Sequence, residues 1–85
     1  MIRKKRIEYI LKLNFNDCYI VVEDVSKDHS GHNNFDGKNE THFVISLKLK
    51  KNFSKNRMYI HRKINNLLKN EFEKGLHSLQ IKIKN

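Results

Sequence analysis

Residues 42–49 read HFVISLKL. Phe43, Ile45, Leu47 and Leu49 fall on one side of an extended chain, and Val44, Ser46 and Lys48 fall on the other. This period-two alternation is that of a strand with one face in a core. On its C-terminal side a polar stretch, Lys50 to Lys55, leads to Ser54 or Asn56 as the cap of a helix. From Arg57 to Lys74 the apolar positions Ile60, Ile64, Leu67, Leu68 and Phe72 recur at helical spacing and predict one continuous helix. Gly75 is its expected stop, because glycine enters the left-handed region without a Cβ penalty. A last strand follows, with His77, Leu79, Ile81 and Ile83 on one face and Ser78, Gln80, Lys82 and Lys84 on the other.

On the N-terminal side of the central strand lies a polar segment, HSGHNNFDGKNETHF over residues 29–43. Before it, Cys18 to Val25 (CYIVVEDV) is β-branched and aromatic and predicts a strand. Before that, Ile7, Ile10, Leu11 and Phe15 form one stripe of a helix over Arg3 to Phe15, surrounded by Arg3, Lys4, Lys5, Arg6, Glu8 and Lys12. Asn14, Asn16 and Asp17 stop it by competing for backbone hydrogen bonds. The order α-β-β-α-β predicts an α+β two-layer sandwich. A three-stranded mixed sheet would be covered on one face by both helices and partly wet on the other, where Lys48 and Lys82 lie.

The 85 residues support one small core and a single domain over 1–85. The formal charge of +9 creates a field that attracts nucleic acid, anionic lipid or an acidic partner, and charge alone does not choose among them. No apolar run approaches the ~20 residues needed to cross a bilayer. The basic, amphipathic start resembles a targeting segment but fits a first helix better. Cys18, the only cysteine, excludes an internal disulfide and a Cys-rich zinc finger, and a reducing compartment suits the chain.

His29 and His32 stand three apart beside Gly31. A metal site and a solvated turn are both open readings, because zinc needs three or four ligands and the nearby Asp28, Asp36 and Glu40 also suit a turn. A phosphate cradle fits less well: no Gly-Lys-Ser/Thr follows Gly31 or Gly37, and no helix begins there. No nucleophile elbow or Cys/His arrangement supports catalysis, so an enzyme is not expected. His42, His61 and His77 read individually as structural or surface histidines. His77 lies at the mouth of the last strand, where its ring can meet solvent.

Three segments together resemble the BolA family: DVSKDHSGHNNFDGKNETHF (Asp24 to Phe43), Phe53 followed by His61-Arg62, and EFEKGLHSLQI (Glu71 to Ile81). The resemblance extends over nearly the whole chain. It implies a domain similar to class II KH modules, and a non-enzymatic adaptor that pairs with a monothiol (Cys-Gly-Phe-Ser) glutaredoxin around a shared 2Fe-2S cluster. In such an assembly the glutaredoxin cysteine and glutathione hold one iron, and two side chains of the BolA-like protein hold the other. One of these maps to His77 and the other to His29 or His32. Imidazole in place of thiolate makes the cluster less negative and raises its potential. The resemblance implies a role in cluster trafficking or iron regulation; the compartment is left open between the cytosol and the mitochondrion.

The other reading is a KH-like nucleic-acid-binding transcription regulator, using Arg57, Arg62, Lys63 and Lys69 on the second helix. No GXXG loop of the kind KH modules use is present. Two departures from the family are visible. Ile60 stands where an arginine usually precedes the His-Arg pair, and the sequence ends at Asn85, before the tail many relatives carry.

Overall fold

A computed structural model describes residues 2–26, 41–50 and 56–84. His29 and His32 lie outside them, as does Ser54, one of the two candidate caps. The elements run α1 (Arg3–Asn14), β1 (Cys18–Asp24), β2 (His42–Leu49), α2 (Arg57–Leu67), α3 (Lys69–Glu73) and β3 (Ser78–Lys84). The strands form one mixed sheet in the order β1-β2-β3. β1 pairs antiparallel with β2, and β2 parallel with β3 through the α2–α3 crossover.

The predicted alternation of β2 holds: Phe43, Ile45 and Leu47 are buried. Helical stripes meet them on the inner face, with Ile7 and Leu11 from α1, Phe15 just past its end, and Ile60 and Ile64 from α2. Each such side chain contributes roughly 1.5–3 kcal/mol when fully buried, so the central strand and the two helices account for most of the core. Ile10, expected in the stripe, is only partly buried. α1 ends where Asn14 Nδ2 bonds the Ile10 carbonyl at 2.7 Å. Asn56 is the cap of α2, its Oδ1 accepting from the Tyr59 amide at 2.8 Å.

The second helix is not continuous. It breaks at Leu68 (φ −99°, ψ 12°), which is itself fully buried. Beyond the break the inward residue is Glu71, 4% exposed, whereas Phe72 of the predicted stripe is only partly buried. A carboxylate out of water requires cations and hydrogen bonds around it, and α1 supplies them. Arg3 Nε lies 2.8 Å from Glu71 Oε1, and Arg6 bonds both carboxylate oxygens, at 2.8 and 2.9 Å. Arg3, read from sequence as part of the polar surround of α1, is therefore buried.

Gly75 ends α3 as expected, with φ 122°. The Leu76 amide bonds the Glu71 carbonyl at 2.9 Å and the Gly75 amide bonds the Phe72 carbonyl at 3.4 Å, the paired bonds of a Schellman ending. Among the described residues no helix is long and apolar enough to cross a membrane.

Candidate metal centre

Parallel pairing of β2 and β3 puts their N-terminal ends side by side, with His42 opposite Ser78. The histidine-rich segment enters β2 at that end and the Schellman turn enters β3 there, so topology joins two regions far apart in sequence. The join is bonded. The amides of His77 and Ser78 both donate to the Thr41 carbonyl, at 2.8 and 3.1 Å.

His77 has the parity of Leu79 and Ile81 but stands one residue before β3. Its side chain is exposed, and its ring stacks on that of His42, with centroids 6.0 Å apart and planes inclined by 3°. His42 is half-buried, and its Nδ1 lies 2.9 Å from Thr41 Oγ1. One imidazole thus reaches solvent on a fixed backbone while a second supports its face.

The two ends of the histidine-rich segment are fastened at the same place. Ser26 is fully buried. Its Oγ donates to Asp24 Oδ1 at 2.5 Å and accepts from the amides of Thr41 and His42, at 3.0 and 3.1 Å. The Val25 amide bonds the His42 carbonyl at 2.8 Å. Residues 26 and 41, which flank the segment containing His29 and His32, are therefore held beside His77.

On the opposite side of His77, the turn at 74–76 is braced by α1. Arg3 Nη2 donates to the Lys74 carbonyl at 3.0 Å, and its guanidinium stands 3.7 Å from where a Cβ on Gly75 would lie. Glu71 is the hub of this brace. Its hydrogen bonds from Arg6, aided by those from Arg3 and by both positive charges, outweigh the opposing effect of burial and hold its pKa at about 2.

Cys18 contributes no ligand here. It pairs with Leu49 at the other end of the sheet, roughly 23 Å along β2 from His42 at the usual rise per residue. Burial, with Asp17 nearby, raises its thiol pKa and disfavours the thiolate, with Lys50 opposing. His61 is exposed on α2. Among the described residues, no group of three or more His, Cys, Asp or Glu side chains is close enough to hold a metal ion. The described rim offers one exposed imidazole, His77, on a backbone bonded to Thr41, where the segment carrying His29 and His32 ends.

Of the four cations of the nucleic-acid reading, Arg62 and Lys63 line one groove with Tyr59 and Asn66. Arg57 and Arg62 are exposed, but five residues separate them, roughly 140° around a helix. Lys63 turns back onto the end of α1, its Nζ 3.5 Å from the Asn14 carbonyl and 5.1 Å from the Phe15 ring centroid. Lys69 belongs to α3, past the break.

The sequence signals for His42, Ser26 and Glu71 were weak for different reasons. His42 carries only its adjacency to the strand, Ser26 is one small polar residue between two predicted strands, and Glu71 lies one position off the apolar stripe.

Residues 11–85 match the family described as BolA-like protein. The chain is 35% identical over 81 residues to an Arabidopsis thaliana protein named "Protein BOLA1, chloroplastic", covering 93% of this chain and 51% of that protein. It thus spans about half the length of this relative. It is 36% identical over 81 residues to a Sinorhizobium sp. protein named "Uncharacterized protein in cobS 5'region", covering 94% of this chain and 82% of the relative. Among solved structures it is similar to the BolA domain of SufE1 from Arabidopsis thaliana. That match has a TM-score of 0.78 and 34% identity, and covers 99% of this chain and 92% of the other. BolA1 from Arabidopsis thaliana matches with the same figures.

Proposed function

This chain belongs to the BolA-like family, and from that premise we propose that it is a non-enzymatic iron–sulfur adaptor that docks on a monothiol glutaredoxin and shares a 2Fe-2S cluster with it. His77 supplies one ligand and His29 or His32 the other, while the glutaredoxin cysteine and glutathione hold the second iron. The cluster supplies redox and transfer chemistry when bound. The protein presents imidazole nitrogen at a rim that a partner can reach, and Thr41, Ser26 and the Arg3–Glu71 brace keep that rim in place.

The observation that carries this reading is the exposed His77, fixed by its backbone to Thr41, where the histidine-rich segment enters β2. With so few soft donors in the chain, completion by a second protein is the consistent solution. Transfer or regulation then follows, because imidazole leaves iron more readily than thiolate when it is protonated.

The test is anaerobic reconstitution of the protein with apo monothiol glutaredoxin, glutathione, iron and sulfide. The expected result is a stable heterodimer whose visible circular dichroism differs from that of the glutaredoxin cluster alone. A spectrum equal to the sum of the separate components, with no co-elution, would refute the proposal.

A further inference from the structure

α1 carries a second apolar stripe that the core does not use. Ile7 and Leu11 of the first stripe are fully buried, whereas Ile2, Tyr9 and Leu13 are 58%, 61% and 63% exposed. Helical geometry puts Tyr9 and Leu13 roughly 40° apart on the side of α1 away from the sheet. Ile2 stands about two turns before Tyr9, at the N-cap. The stripe is about 16 Å long, and Lys5 and Lys12 flank it within roughly 60° of Tyr9. Both lysines are exposed.

This outward side of the helix layer is also strongly basic. α1 holds five Lys and Arg residues and α2 three, against a single carboxylate, Glu8. Glu8 lies 3.8 Å from Lys5, and Arg3 and Arg6 turn to Glu71, so Lys12, Arg57 and Arg62 leave the exposed surface positive. α2 repeats the combination of α1: Met58, 62% exposed, and Arg62 stand about one turn apart on the side away from Ile60 and Ile64. Lys63 Nζ, 3.5 Å from the Asn14 carbonyl, places α2 beside the end of α1.

We propose that the outward side of α1, extended by Met58 and Arg62 of α2, is a docking surface for an anionic membrane, with the helix lying in the plane of the headgroups. A helix that rests in that layer needs apolar side chains along one side and cations on its shoulders, whose long stems reach the phosphates. Ile2, Tyr9 and Leu13 supply the first, and Lys5 and Lys12 the second. The charge balance selects anionic lipid over neutral lipid. A helix standing on a sheet is a ridge, with no recess for the side chains of a protein partner, whereas the headgroup layer yields to a ridge. Nucleic acid would meet the lysines but leave the apolar stripe uncovered. A second copy laid α1 on α1 would bring the Lys5 and Lys12 flanks of both copies into one contact. Three partly exposed apolar side chains give reversible attachment without insertion. The surface lies across α1 from the buried Arg3 and its partner Glu71, so it does not rest on the metal-centre reading.

Flotation of the full chain with phosphatidylcholine vesicles containing about 30% phosphatidylserine, beside vesicles of phosphatidylcholine alone, tests the surface. The chain is expected to float with the anionic vesicles at low salt, and to be released at about 0.5 M salt. Partitioning is expected to fall about 10- to 30-fold in Lys5→Gln/Lys12→Gln and about 10- to 100-fold in Tyr9→Gln/Leu13→Gln. Glutamine keeps the helix propensity of these exposed positions, and far-ultraviolet circular dichroism checks that α1 is intact. Tyr19→Thr/Val21→Thr alters two exposed side chains of β1 on the sheet and is expected to change nothing. The proposal is overturned if the chain ignores anionic vesicles at low salt, if Tyr9→Gln/Leu13→Gln floats like the unaltered protein, or if the β1 pair weakens flotation as much as the α1 pair. It is also overturned if Tyr9→Gln/Leu13→Gln keeps vesicle binding but loses capture of a polyglutamate peptide or dissolves a homodimer, because the stripe then belongs to a protein contact.

Discussion

The backbone N–H of His77 donates to the carbonyl of Thr41 at 2.8 Å, and this bond joins the Schellman turn after α3 to the start of β2. It makes the position of one imidazole depend on three remote features: a glycine with positive φ, a buried carboxylate and a buried serine. Each can be perturbed separately.

Gly75 adopts φ 122°, and a methyl group there would meet Arg3 only at ordinary contact distance. Strain in Gly75→Ala is therefore in the backbone, at about 1–2 kcal/mol. Thermal unfolding should show a fall of roughly 4–8 °C per kcal/mol for a domain of this size. An unchanged melting temperature would mean the turn accommodates a side chain freely.

Glu71 is held at about 2 against an ordinary value of 4.5. A carboxyl whose folded pKa is depressed contributes stability that is fully present above 4.5 and is lost as pH falls from 4.5 through about 2. The contribution is on the order of 3 kcal/mol by linkage. Urea denaturation from pH 6 to pH 2 should therefore show a shallower acid loss for Glu71→Gln than for the unaltered protein. The two curves running parallel would remove Glu71 from the account of acid stability.

Ser26→Ala deletes one oxygen that accepts two backbone amides, those of Thr41 and His42. Leaving buried donors unpaired costs about 1–3 kcal/mol. Amide hydrogen exchange should accelerate at Thr41 and His42 while the α2 core around Ile60 and Ile64 keeps its protection. Uniform acceleration across the domain would point to a global rather than a local role for Ser26.

His42 stacks on His77, and in the proposed assembly it is expected to position that ring and not to bind iron. His42→Phe keeps a flat ring in that place, so the visible circular dichroism of the glutaredoxin complex should persist with a modest change in intensity. Loss of the spectrum as complete as that in His77→Ala would assign His42 a direct bond to iron.

The strands and the glycine stop were legible because their signals are local: alternation in HFVISLKL, and one glycine after a helical stripe. The break at Leu68 was not, because Leu68 continues the apolar spacing and is buried as the pattern requires. The apolar spacing also carries no sign of the bonds that Glu71 makes beyond the break with Arg3 and Arg6, 68 and 65 residues away. The pairing of His42 with His77 was hidden for a similar reason. Each histidine looked ordinary in its own strand, and only the parallel register of β2 and β3 brings them together.

The most direct test is the visible circular dichroism of the reconstituted complex made with His77→Ala, with heterodimer formation followed separately by size-exclusion chromatography. His77 is exposed and its backbone bond survives the substitution, so the domain should remain folded and still meet its partner. The account predicts loss or marked alteration of the mixed-cluster spectrum. A His77→Ala complex with the spectrum of the unaltered protein would contradict it.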